Sequence, residues 1–121
     1  MVNLDNTQNS CNAEKAQKIL RPVPYAQGFH FFMPDGHYTG ETALSLCSFL
    51  RDMGSIDTQS IKFHFDRGDF QIWLRTTVAD EELARIIEKL DKKIPEESLQ
   101  EKLAEIVQKR ISELKLTRRS S

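Results

Sequence analysis

The chain has 121 residues, 39% of them hydrophobic and 29% charged, which suits the core of one small domain and argues against a disordered chain. Its 17 basic and 18 acidic residues give a formal net charge of -1, which argues against a protein that coats nucleic acid by bulk charge. The apolar runs are too short for a membrane-spanning helix, and two cysteines are too few for a disulfide framework.

Residues 1–26 are rich in Asn, Gln and Ser and close on two prolines, Pro22 and Pro24. A short helical turn is compatible with residues 13–20, but the prolines would end it, and the stretch is predicted to be a flexible lead-in. Its opening residues lack the basic start and apolar stretch of a secretory signal. This predicts a cytoplasmic location with reduced cysteines.

Residues 27–116 are predicted to form one mainly α-helical domain of four or five helices, followed by a basic tail at 117–121. The aromatic run 29–33 is typical of one short strand near the N-terminus, and the Pro-Asp-Gly sequence after it is typical of a turn. Helical spacing then extends from Ala43 to Met53. Thr39 or Thr42 is the expected cap of that helix, and Cys47 within it is expected to be buried.

The spacing of apolar residues in 58–66 fits both a strand and a helix. Ile61, Phe63 and Phe65 alternate with polar residues as in a strand, whereas Ile61, His64 and Phe65 share a helical face. Gly68 can stop one helix and the Asp after it can cap the next, which favours a helix–turn–helix junction.

The last two helices have clearer signals. Asp80 is predicted to cap one of them, and Pro95 to begin the other. The final helix carries an apolar arc that is wider than one packing contact requires: Leu99, Leu103, Ile106, Val107, Ile111 and Leu114. We therefore expect self-association or docking of a protein partner through the 96–114 helix.

The chemistry-bearing candidates fall in one short stretch, at His64, Arg67, Asp69 and Trp73. His64 and Asp69 can form an imidazole–carboxylate pair, and Arg67 can bind a carboxylate or phosphate. The simpler structural alternatives are an N-cap for Asp69, a core position for Trp73 and a hydrogen-bonded, partly buried side chain for His64. No catalytic residue, metal site or cofactor is predicted.

The same region carries a resemblance. Its elements are His64, Asp69-Phe70, Trp73-Leu74, Asp80-Glu81-Glu82-Leu83-Ala84, the aromatic run 29–32, Thr39-Gly40 and Ser45-Leu46 before Phe49-Leu50. This pattern resembles the uncharacterised prokaryotic family DUF5752 over about half of the chain. The resemblance implies a small helical domain, found alone or attached to glycosyltransferase-like enzymes, and no activity. The short segment between His64 and Asp69 and the basic-ended last helix depart from that pattern.

Three classes of function remain open. The first is a non-catalytic protein-interaction or regulatory module, since few polar groups converge in so small a chain. The second is a binder of, or enzyme acting on, a small anionic or sugar-linked molecule in a pocket formed by His64, Arg67 and Asp69. The third, weak nucleic-acid binding, would use the basic end of the chain: Lys109, Arg110, Lys115, Arg118 and Arg119. A pocket that gathers the His, Arg and Asp side chains would favour the second class over the first.

Overall fold

The computed structural model describes residues 4–119, with side chains described from residue 12. The mainly helical class is confirmed, with six helices in the described chain instead of four or five. The helices are α1 (Leu4–Leu20), α2 (Leu46–Met53), α3 (Thr58–Arg67), α4 (Asp69–Trp73), α5 (Glu81–Glu88) and α6 (Glu96–Arg119). Residues 1–3 of the predicted lead-in and 120–121 of the predicted tail lie outside the described residues, and 117–119 belong to α6.

Helix α6 is the element on which the other helices assemble. It packs against α1, α2, α3 and α5, so different parts of its apolar arc meet different neighbours. Five of the six residues of the arc are buried within the domain: Leu99, Leu103, Val107, Ile111 and Leu114. Only Ile106 is half-buried. The width of the arc is therefore explained inside one chain.

Helix α1 departs from the predicted flexible lead-in. Ala13, Ala16 and Ile19 are buried, and the helix packs along α6. Two of these three contacts are made by alanines, whose small side chains allow a close approach but give a weak hydrophobic pattern in the sequence. The lead-in is helical because α6 offers an apolar surface to cover.

The chain between α1 and α2 forms an antiparallel hairpin of β1 (Phe29–Phe32) and β2 (Tyr38–Ala43). The strand at β1 is confirmed, whereas the prediction of a turn and the start of a helix where β2 lies is wrong. Helix α2 starts later than predicted because Ser45 caps it, accepting a hydrogen bond from the Ser48 amide at 3.1 Å. The capping role expected for Thr39 or Thr42 is wrong, and Cys47 is exposed, because it points away from the face that buries Leu46 and Phe49.

Residues 58–67 are helical, as the Gly68 signal predicts. Gly68 adopts the left-handed conformation (φ 77°) that ends α3, and α4 begins at once. Helix α4 then widens into a π turn at residues 74–78, which ends on Ala79 at φ 69°. The predicted cap at Asp80 is confirmed, since its carboxylate accepts a hydrogen bond from the Leu83 amide at 3.1 Å.

Candidate functional site

An open pocket lies between the hairpin and the corner where α3 meets α4. Its volume is about 320 Å³, near the lower end of the range for small-molecule sites. We call it the hairpin pocket. It is lined by Gly28, Phe29, His30, Phe32, Gly36, Phe63, His64, Arg67 and Asp69. The pocket combines aromatic walls with polar side chains from α3 and the start of α4.

Helix α3 holds the hairpin in place through two side chains that lie one turn apart. The Ser60 hydroxyl donates to the Phe32 carbonyl at 2.8 Å, and His64 Nε2 accepts from the Phe32 amide at 2.9 Å. The two side chains thus form hydrogen bonds with the carbonyl and the amide of Phe32, as the backbone of a neighbouring strand would. The edge of β1 at Phe32 is therefore satisfied by a helix.

His64 is held on both ring nitrogens. Because Nε2 accepts from the Phe32 amide, Nδ1 carries the proton and donates to Asp69 Oδ2 at 2.8 Å. The side chain is 5% exposed. Burial lowers the pKa of His64, more than the hydrogen bond and negative charge of Asp69 raise it, and the Arg67 charge lowers it further. The imidazole is therefore neutral at pH 7 and has no ring nitrogen left over.

Arg67 lies at the mouth of the pocket. Its Nε is 3.2 Å from Asp69 Oδ2, and its guanidinium carbon is 5.0 Å from the centre of the Phe63 ring. The side chain is 61% exposed. Its two terminal nitrogens and the Oδ1 atom of Asp69 have no hydrogen-bond partner among the described residues. One cationic and one anionic group thus lie side by side, and each has atoms left that can form hydrogen bonds to a ligand.

His30 stands at the rim of the same pocket, on β1. Its Nδ1 is 2.8 Å from the Thr42 hydroxyl, and that hydroxyl is 2.5 Å from the Tyr38 hydroxyl. The Tyr38 hydroxyl in turn lies 3.2 Å from that of Tyr25. This chain of hydroxyl groups fixes the His30 ring without filling the pocket.

The structure brings together three of the four predicted site residues. His64, Arg67 and Asp69 line the pocket. Trp73 does not: it is buried, as its structural alternative predicts, and its indole N–H donates to the Gln27 carbonyl at 2.9 Å. The N-cap alternative for Asp69 is wrong, because its side chain makes no capping bond and instead accepts from His64.

The sequence does not identify the aromatic walls as site residues. It predicts only a strand for Phe29 and Phe32, and Phe63 bears only on the choice between helix and strand for residues 58–66. The His64 ring centre lies 4.8 Å from that of Phe29 and 5.0 Å from that of Phe63. Phe63 is next to His64 in the sequence, but Phe29 comes from a distant strand, so the sequence does not show the cluster.

Arg110 does not belong to the predicted basic surface. Its guanidinium donates twice to Asp80, with Nε 2.8 Å from Oδ2 and Nη2 3.1 Å from Oδ1, and its side chain is 12% exposed. Glu82 adds a contact at 3.0 Å. The other four cations of that surface are exposed: Lys109, Lys115, Arg118 and Arg119. Nucleic-acid binding at this end stays a prediction.

A scan against protein-family models, a search of curated proteins and a search of solved structures each found no match to the chain. Membership of DUF5752 therefore stays a prediction. Within residues 4–119, no helix is both long and apolar enough to cross a membrane. The described residues also contain no group of three or more His, Cys, Asp or Glu placed to hold a metal ion.

Proposed function

We propose that this protein is a non-catalytic binding module whose hairpin pocket takes a small organic molecule. The observation that carries the proposal is the convergence of His64, Arg67 and Asp69 on one open cavity beside aromatic rings. Rings supply apolar contact, and a few polar groups fix the orientation of a ligand. A pocket of this make-up supports recognition of a small molecule by Arg67 and Asp69 over a purely structural role for these two residues.

The geometry of His64 favours binding over catalysis. A general base or acid needs a ring nitrogen within reach of the substrate proton. In His64 one nitrogen donates to Asp69 and the other accepts from the Phe32 amide, so both serve the fold. The His–Asp pair thus supports a role in shaping the pocket, where a catalytic pair would leave one nitrogen open.

The proposal is tested by amide NMR of the full chain against a panel of small acids, amines, amino acids, nucleosides and sugars. We expect at least one class to shift the resonances of the hairpin and of α3. Phe63→Ala removes one wall of the pocket and should weaken that response. Ile72→Ala is the matched control, because Ile72 is exposed on α4 and does not line the pocket. Silence from the whole panel, or equal binding by the Phe63 variant, would contradict the proposal.

A second candidate function, self-association, is favoured by a groove between α5 and α6. Ile86, 41% exposed, and the half-buried Ile106 line it together with charged residues of α6. These charged residues are of both signs, Lys102 and Lys109 beside Glu105 and Glu113. A second copy of the same groove offers unlike charges around the two isoleucines, which supports a two-fold dimer through the 96–114 helix.

Analytical ultracentrifugation decides this second candidate. We expect a concentration-dependent dimer that Ile106→Glu abolishes and Ile72→Glu leaves intact, because only the first substitution puts a charge in the groove. A wild-type chain that stays monomeric at high micromolar concentration would rule out self-association. Docking of a different protein on the same helix would then have to be tested by affinity capture.

A further inference from the structure

The mouth of the hairpin pocket carries two opposite charges next to each other. Arg67 Nε and Asp69 Oδ2 are 3.2 Å apart, yet the terminal guanidinium nitrogens and Asp69 Oδ1 have no partner among the described residues. Hydrogen bonds to charged groups are stronger than those between neutral groups. The two residues can therefore hold a second pair of charges without giving up their own contact.

The net charge of this group excludes a simple ion as the best ligand. His64 Nε2 accepts from the Phe32 amide and its ring is therefore neutral, so the cation of Arg67 and the anion of Asp69 cancel. A carboxylate alone would gain from Arg67 and be repelled by Asp69, and an amine alone would meet the reverse. A molecule with both charges avoids the repulsion, provided that its carboxylate and ammonium are as close together as the two protein groups. In an α-amino acid one carbon atom separates them.

The remainder of the pocket suits an apolar side chain. Phe32 and Phe63 line it with side chains that are at least partly exposed, and the buried Phe29 ring lies against His64 behind them. Arg67 is also held in advance, since it lies over the Phe63 ring and against Asp69. A guanidinium fixed before binding loses little freedom when the ligand arrives.

We propose that the hairpin pocket binds a free α-amino acid with an apolar side chain, its carboxylate on Arg67 and its ammonium on Asp69. This inference rests on the proposed binding function and names the ligand class of the same site. The carboxylate takes the terminal nitrogens of Arg67, the ammonium donates to Asp69 Oδ1, and the side chain lies among the phenyl rings.

Titration calorimetry of the full chain with L-phenylalanine and L-leucine tests the inference. Two analogues each lack one charge: N-acetyl-L-phenylalanine has no ammonium, and phenethylamine has no carboxylate. We expect both analogues to bind roughly tenfold more weakly or worse, because each loses a charge-assisted hydrogen bond. Equal binding of all three phenyl compounds would overturn the inference, since only the ring would then be recognised.

Two variants assign the charges. Arg67→Gln should bind L-phenylalanine no better than it binds phenethylamine, and Asp69→Asn should bind it no better than N-acetyl-L-phenylalanine. Asp69→Asn keeps an oxygen that accepts from His64, so the pocket stays assembled. Arg51→Gln is the control, because Arg51 is an exposed cation on α2 that does not line the pocket. Loss of binding in Arg51→Gln, or none in the other two, would overturn the assignment.

The same titrations separate this inference from the binding function on which it rests. If nucleosides or sugars shift the pocket resonances and the amino acids do not, the ligand class is wrong and the binding function stands. If no compound of any class binds at the pocket, both fail.

Discussion

Two aspartates, Asp69 beside the hairpin and Asp80 beside α6, are placed in the same way and end with different properties. Each follows a residue in the left-handed conformation, Gly68 at φ 77° and Ala79 at φ 69°. Each also accepts a hydrogen bond from a side-chain nitrogen of another helix. For Asp69 the donor is the neutral ring of His64, and for Asp80 it is the guanidinium of Arg110.

The two aspartates differ in how completely their carboxylate oxygens are bonded and in their access to solvent. Asp80 is 1% exposed, and Arg110 bonds to both of its carboxylate oxygens. Asp69 is partly exposed at a pocket, and its Oδ1 is unused among the described residues. An ion pair in which both carboxylate oxygens are bonded, as at Asp80, stabilises a junction between helices. A carboxylate with one oxygen open to a cavity can also contact a ligand, so completeness of bonding separates the structural pair from the candidate site.

The largest expected effect is at Asp80. Asp80→Ala leaves Arg110 without its main partner and removes the cap of α5, so the free energy of unfolding should fall by about 3 kcal/mol in urea titration. Asp80→Asn is the matched variant, because Asn still caps the helix and loses only the charge. Its loss should be smaller. A loss below about 1 kcal/mol for Asp80→Ala would mean that the Asp80–Arg110 pair stabilises the fold no more than an ordinary surface ion pair does. The contrast with Asp69 would then fail.

The next effect is at His64. His64→Ala deprives the Phe32 amide and Asp69 of their partner and should lower the free energy of unfolding by about 2 kcal/mol. His64→Gln offers an amide oxygen to Phe32 and should recover part of that loss. Both are measured by chemical denaturation with hairpin resonances as a second probe. Full stability in the alanine variant would show that His64 does not hold the hairpin.

His64 also gives the hairpin region a pH dependence. The unfolded chain takes up a proton with the ordinary His pKa of 6.5, whereas the folded chain does so only at lower pH. Between these two pKa values the unfolded state binds more protons than the folded state. The folded state therefore loses stability as the pH falls from 6.5 through the lowered pKa of His64. His64→Gln should lose less stability over that window, because it has no imidazole to protonate. Equal pH profiles for the two would contradict the lowered pKa.

The smallest effect comes from exchanging the two left-handed residues. A side chain at Gly68 meets no atom within 4 Å, so Gly68→Ala carries only the backbone cost of the left-handed conformation. That change should lower stability by about 1 kcal/mol, and Ala79→Gly should raise it by a similar amount. Thermal and urea unfolding of both variants check the signs. Shifts in the same direction would mean that the two turns are not equivalent.

The sequence predicts what is encoded locally. Gly68 ends α3 by its conformational freedom and decides between helix and strand for residues 58–66. Asp80 caps its helix through a bond that spans only three residues. The meeting of His64 and Asp69 is also local, since the glycine turn between them brings the start of α4 back to the end of α3.

What the sequence leaves undetermined depends on distant partners. Strand β2 is polar and pairs with β1 through backbone bonds that its composition does not encode. Helix α1 folds because α6 covers its alanines, and the role of Arg110 depends on Asp80, 30 residues earlier. The pocket itself forms only when the hairpin comes to lie on α3, so its aromatic walls are not visible as one site in the sequence.

We infer that His64 is a neutral support of the pocket and not a catalytic group. Nitrogen-15 NMR of the His64 imidazole in the full chain tests it directly. At pH 7 the ring should be neutral, with its proton on Nδ1 and Nε2 hydrogen-bonded to the Phe32 amide, and its pKa should lie below 6.5. A ring that is protonated at pH 7, or that carries its proton on Nε2, would contradict the account and restore catalysis as a competing function.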